Sequence, residues 1–184
     1  CTSWGEPTQT GTVEDLLLNE ISGVVPSLRN PGALWVVEDH GNEAALYAID
    51  ETGATLASIW ITGAENTDWE DVDLAPCDAG TCLVVADTGN NTHDRTDLAL
   101  VVVEEPLLDG TTRDFDEEAT VFPFEWPVEG EDNESITHTD DGRFVLVVVR
   151  GKSARLYDAA GSPAGPVLAG DRFVDARLTP DGRT

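Results

Sequence analysis

The chain has 184 residues, 40% of them hydrophobic, which is enough to build one packed domain. Thirty-six acidic residues outweigh ten basic ones for a formal charge of −26, and such a surface repels phosphates, which argues against a nucleic acid or an anionic membrane as partner. No apolar stretch approaches the roughly 18 residues that a membrane-crossing helix needs.

The chain opens on Cys1 and contains no methionine, so its first residue is expected to mark a processing boundary. Residues 1–18 read as an N-terminal polar tether. A mature chain that begins with cysteine and a polar stretch resembles a bacterial lipoprotein after signal-peptide cleavage, which would make Cys1 the lipidation site and the lipid anchor the only membrane contact. Within the tether, Thr12 as N-cap and Asp15 allow a single helical turn up to Leu18.

Beyond it, helical periodicity is almost absent. Short apolar runs at 33–37, 45–49, 56–61, 83–86, 98–103, 119–124, 144–149 and 154–157 are rich in β-branched and aromatic residues and separated by Gly, Asp, Asn and Pro, which predicts strands. The runs at 83–86 and 144–149 do not alternate, so each is expected to be buried on both faces. The fold class is therefore all-β. Cys77 and Cys82 flank the turn-forming Asp78-Ala79-Gly80-Thr81, a spacing that lets a disulfide close a hairpin tip in an oxidising compartment; two buried thiols are the alternative.

The pattern also repeats. Glu20-Ile-Ser-Gly-Val, Glu70-Asp-Val-Asp-Leu and Glu134-Ser-Ile-Thr-His each precede an apolar strand, a polar turn and a second strand. The leading glutamates lie 50 and 64 residues apart, close to the 40–50 residues of a four-stranded propeller blade, with an insertion at 104–118 explaining the longer interval. A fourth unit starts at Phe173. The expectation is a β-propeller of which this chain holds about three blades and the start of a fourth, over residues 19–184, with truncation at the C-terminus because such a piece cannot close a ring.

Glu20-Ile-Ser-Gly-Val24, Asn66-Thr-Asp-Trp-Glu-Asp-Val72 and Asp87-Thr-Gly-Asn-Asn91 resemble the motifs of a family of exported bacterial propeller proteins, mostly uncharacterised. More distantly the chain is similar to β-propeller phytases, phytase-esterase-like proteins and gluconolactonases. The resemblance implies about six blades, acidic residues at one mouth of the channel and a divalent cation, often calcium. Carried over, it assigns Glu20, Glu70, Glu134 and Asp87 as metal ligands, with Asp39 as the counterpart of Asp87 one blade earlier. The loops 39–42 and 87–91 read either as plain turns or as gates of the channel mouth, with Asp39, Asn90 and Asn91 as ligand-binding positions. The third unit departs from it, with Arg150-Gly-Lys152 in place of Asp-x-Gly.

Carboxylates that converge on an axis need a cation or a proton between them; the competing role is that the glutamates latch backbone amides of the next blade. Trp35 and Trp69 are expected as wedges between blades, and His40, His93 and His138 as loop or surface residues, since no zinc spacing occurs. Ser22 and Ser135 lie in no nucleophile elbow. Three functions stand open: an exported, surface-anchored propeller binding a cation or small ligand, a calcium-dependent hydrolase of phosphoesters, esters or lactones, and a non-catalytic scaffold for a cell-surface partner, monomeric when complete.

Overall fold

The computed structural model describes residues 6–78, 80–111, 113–123 and 132–138, and the backbone of 144–150, 153–158 and 168–169. The architecture is all-β, with no helix among the described residues. Three sheets form. In the first, β1 (Ile21–Pro26), β2 (Ala33–Glu38), β3 (Ala45–Asp50) and β4 (Thr55–Thr62) pair as an antiparallel meander. In the second, β5 (Trp69–Cys77), β6 (Gly80–Asp87) and β7 (Ala99–Glu104) do the same. The chain then crosses over: β8 (Asp114–Glu118) adds to β4 in parallel as a fifth strand of the first sheet, and β9 (Thr120–Pro123) returns to pair with β7. The stretch at 104–118, expected as an insertion, thus stitches the two sheets. The third sheet has the order β10 (Asn133–His138), β11 (Phe144–Arg150), β12 (Ser153–Asp158) and β13 (Leu168–Ala169).

The opening strands β1, β5 and β10 lie side by side. Gly23 is needed at the first junction: a Cβ there would stand 2.7 Å from the Asp71 Cα, so only glycine lets β1 approach β5 this closely. The β5–β10 junction is polar. Asp71 Oδ2 accepts from Ser135 Oγ and the Ile136 amide, and Asp73 Oδ2 from the His138 amide.

Apolar packing follows from the strand sequences. Trp35, Val37, Leu46 and Ile59 of the first sheet meet Trp69, Val72, Leu83 and Val85 of the second in one core, and Ala75, Val84, Ala86 and Leu100 pack with Ile136 in another. The second sheet is therefore covered on both faces, as the unbroken run Leu83-Val84-Val85-Ala86 predicts; all four residues are at most 1% exposed. Both tryptophans are fully buried between sheets, with Trp69 Nε1 donating to Glu65 O and Trp35 Nε1 to Glu105 Oε1. The side chains of 144–149 lie outside the described set.

Two expectations need correction. From Gly11 onward the tether is docked: Thr12 N donates to Thr52 O, Thr55 Oγ1 donates to Asp15 Oδ2, and Val13 and Leu18 cover Val36, Tyr47 and Ile49 on the outer face of the first sheet. The turn there is capped by Asp15, whose carbonyl and carboxylate receive the Leu18 and Leu17 amides, while Thr12 is engaged elsewhere. The hairpin between β5 and β6 does carry the Cys77–Cys82 disulfide, with Cα atoms 5.8 Å apart, inside the usual reach. Cys1 and the fourth unit at Phe173 fall outside the described residues.

Candidate metal centre

Each opening strand carries a one-residue β-bulge at its start. Ile21 and Gly23 face consecutive partners Glu38 and Val37, Trp69 and Asp71 face Asp87 and Ala86, and Asn133 and Ser135 face Val148 and Val147. The extra residues are Ser22, Glu70 and Glu134. A bulge re-aims its side chain, and here it places a serine and two glutamates at equivalent points.

This register corrects the repeat alignment by two residues in the first unit. Glu20 corresponds to Asp68 and Asp132, and Ser22 to Glu70 and Glu134. The hydrogen bonds agree: Glu38 Oε2 accepts from the Asn19 and Glu20 amides as Asp87 Oδ1 accepts from the Asp68 amide. Glu20 is exposed, and Ser22 Oγ donates to Trp69 O. The counterpart of Asp87 is Glu38, not Asp39, and Val148 fills that place in the third sheet.

Glu70, Asp132 and Glu134 each offer a carboxylate oxygen within 4.8 Å of the others. Two of these three come from the assigned metal ligands. Asp68 adjoins them: a Cβ on Gly89 would stand 2.2 Å from Glu70 Oε1 and 2.3 Å from Asp68 Oδ2, so these oxygens are within about 4.5 Å of each other. The absent side chain of Gly89 is what leaves that space open. The Gly89 and Thr88 amides both donate to Asp68 O, which seats the loop there.

The electrostatics are severe. Glu70 is 7% exposed and has no hydrogen-bond donor among the described residues. Burial first, then the charges of Glu134, Asp68, Asp39 and Asp132, push its carboxyl from the ordinary 4.5 up to about 9. Glu134 is raised by burial and then by Asp132, Asp39 and Asp68; Asp68 is raised by burial and Asp39, with His40 and Arg95 opposing.

The other assigned residues are engaged differently. Asp87, 5% exposed, is ion-paired to Arg95 at 3.0 Å besides holding the Asp68 amide, and these partners oppose but do not outweigh the burial that raises its carboxyl. Asn90 is buried; its amide donates to Asp132 Oδ1 at 2.6 Å and its Oδ1 accepts from the Arg95 amide, so it positions the cluster from behind. Asn91 is exposed. Arg95 ties the loop together through Gly89 O, Asp87 and Asp97. Asp39 lies at the edge of the cluster. Ser135 donates to Asp71, and His138 Nδ1 lies 2.9 Å from Asp73 Oδ2, bonds that hold β10 on β5.

Asp132, within the cluster, and Asp68, beside it, are not among the assigned residues. Their signal was the spacing Asp68-Trp-Glu70 and Asp132-Asn-Glu134, an Asp-x-Glu that opens two of the three units.

No protein-family model and no curated protein matches this chain.

Proposed function

We propose that this protein is an exported β-propeller that binds a hard divalent cation, calcium by its chemistry, through Glu70, Asp132 and Glu134. The single observation that carries the reading is the buried Glu70 carboxylate, facing other carboxylates with no donor among the described residues. Carboxylate oxygens alone suit calcium, which takes six to eight oxygens at adaptable angles, and an ion there would offset both the burial and the like charges that raise the Glu70 carboxyl. Three sheets with adjacent opening strands support the propeller, and the family resemblance fits it. The Cys77–Cys82 bridge supports an extracytoplasmic setting. A lipid anchor on Cys1 belongs to the same reading.

Thermal melting with and without calcium tests it. A cation bound only by the folded state stabilises by ~2.7 kcal/mol at a hundredfold excess over its Kd. That rise is expected in the wild type and lost in Glu70→Gln, which keeps shape and removes charge. Gly89→Ala, which fills the space beside Glu70 and Asp68, is expected to weaken it. A wild type whose melting is indifferent to calcium and magnesium overturns the proposal.

A further inference from the structure

We propose a second metal seat beside the first, formed by Asp39, His40 and Asp68, that selects a borderline divalent ion such as zinc, cobalt or nickel over calcium. One ligand atom from each residue lies within 4.8 Å of the other two. The donor set differs in kind from the inner one. An imidazole nitrogen beside two carboxylates suits zinc and the later first-row ions, whereas calcium gains little from nitrogen.

A second observation points to a ligand independently of the clustering. Asp68 is 9% exposed, its Oδ1 is fully buried, and its carboxylate receives no hydrogen bond among the described residues. A buried carboxylate oxygen normally has a donor; a metal ion would satisfy this one.

The surrounding backbone holds the seat in place. Asn66 Nδ2 donates to both Glu38 O and Asp39 O while its Oδ1 accepts from the Trp69 amide, so one side chain locks the Asp39 turn against the Asp68–Trp69 turn. Asn42 Nδ2 also donates to Asp39 O, and the His40 amide donates to Asp39 Oδ1. His40 itself is exposed, with Nδ1 3.8 Å from Asp39 Oδ1, so its ring is free to turn toward an ion. Three protein ligands on a solvent-facing rim leave coordination positions for water or a small anionic ligand, the pattern of open rather than structural zinc sites. Asp68 and Glu70 face each other across Gly89, so this seat borders the inner one and the two ions would sense each other's charge.

The experiment uses cobalt as a probe, read by its visible absorption and by calorimetric titration, with zinc as competitor and calcium melting as the control for the inner seat. The wild type is expected to bind cobalt with a nitrogen-ligand spectrum and to release it to zinc. His40→Gln should lower cobalt affinity at least tenfold, the lower end of what even an indirect partner of a metal ligand costs, and leave the calcium response unchanged. Glu70→Gln should abolish the calcium response and leave the cobalt spectrum in place. Cobalt affinity that His40→Gln does not change overturns the second seat. So does cobalt binding lost in Glu70→Gln but kept in His40→Gln, which would put that ion among the inner carboxylates. Because calcium melting reads the inner seat alone, failure of one proposal is distinguishable from failure of the other.

Discussion

Glu105 and Glu70 are both buried glutamates, one just past the end of β7 and one on the bulge of β5, and their surroundings are opposite. Glu105 is fully buried, and its Oε1 receives Ser27 Oγ, the Leu28 and Arg29 amides and Trp35 Nε1. These donors come from the β1–β2 turn and from β2, so the carboxylate pins the first sheet to the second. Glu70 has like charges where Glu105 has donors. Burial alone thus says little about a carboxylate. A ring of N–H and O–H groups marks a structural one, and a ring of other carboxylates is the setting in which the proposed cation would act.

The largest effect should come from the donor-rich side. Glu105→Ala strands several buried donors, and a loss of about 3–5 kcal/mol is expected, a drop of roughly 6–20 °C in melting temperature at this chain length. A loss under ~1 kcal/mol would erase the contrast, since it would make Glu105 as dispensable as a surface group.

The acceptor-rich side should respond to pH instead, with the cation chelated away. Below its ordinary 4.5, Glu70 is protonated in both folded and unfolded chains; between 4.5 and about 9 only the folded chain keeps the proton. Folding then binds more protons than unfolding leaves, so stability falls as pH rises across this window, by at most about 1.4 kcal/mol per pH unit for one group. Melting of wild type and Glu70→Gln at pH 5.5 and 8.5 should show the variant gaining on the wild type at the higher pH. A constant gap between the two would mean that neither burial nor the charges of Glu134, Asp68, Asp39 and Asp132 act on Glu70 as their positions imply.

The smallest effect belongs to the neighbour of Glu105. Glu104 pairs with Arg29 at 2.9 Å, but the two side chains are 53% and 34% exposed, and such pairs contribute about 0–1 kcal/mol. Glu104→Gln should shift urea midpoints barely at all. A loss comparable to that of Glu105→Ala would show that position, not desolvation, sets the value of these carboxylates.

Much of the fold was legible because its strands are short apolar runs rich in β-branched and aromatic residues: β2, β3, β4, β6, β11 and β12 each contain one of the predicted runs, and β7 and β9 overlap one. β8 was not, because Asp-Phe-Asp-Glu-Glu has no apolar run and gains its place by parallel pairing with a strand far earlier in the chain. Of the candidate metal centre, Glu70 and Glu134 were legible as repeated glutamates. Glu20 was misplaced because a bulge inserts a residue without any compositional mark, so a motif match on Glu-Ile-Ser-Gly-Val cannot show that Ser22 holds the equivalent point. Glu105 was invisible for a different reason: its donors lie about 70 residues away in sequence and meet it only once the two sheets pack.

The crossover strand has a consequence for how copies of this protein meet one another. Without β8, the long strand β4 would present its row of unpaired amides and carbonyls to solvent, a ready template for edge-to-edge pairing and aggregation. The strand that covers it carries four acidic residues among its five, Asp114, Asp116, Glu117 and Glu118. Any second molecule approaching that side with the same edge meets its own charge, so like-charge repulsion, not bulk, opposes edge-to-edge pairing at this flank of the first sheet.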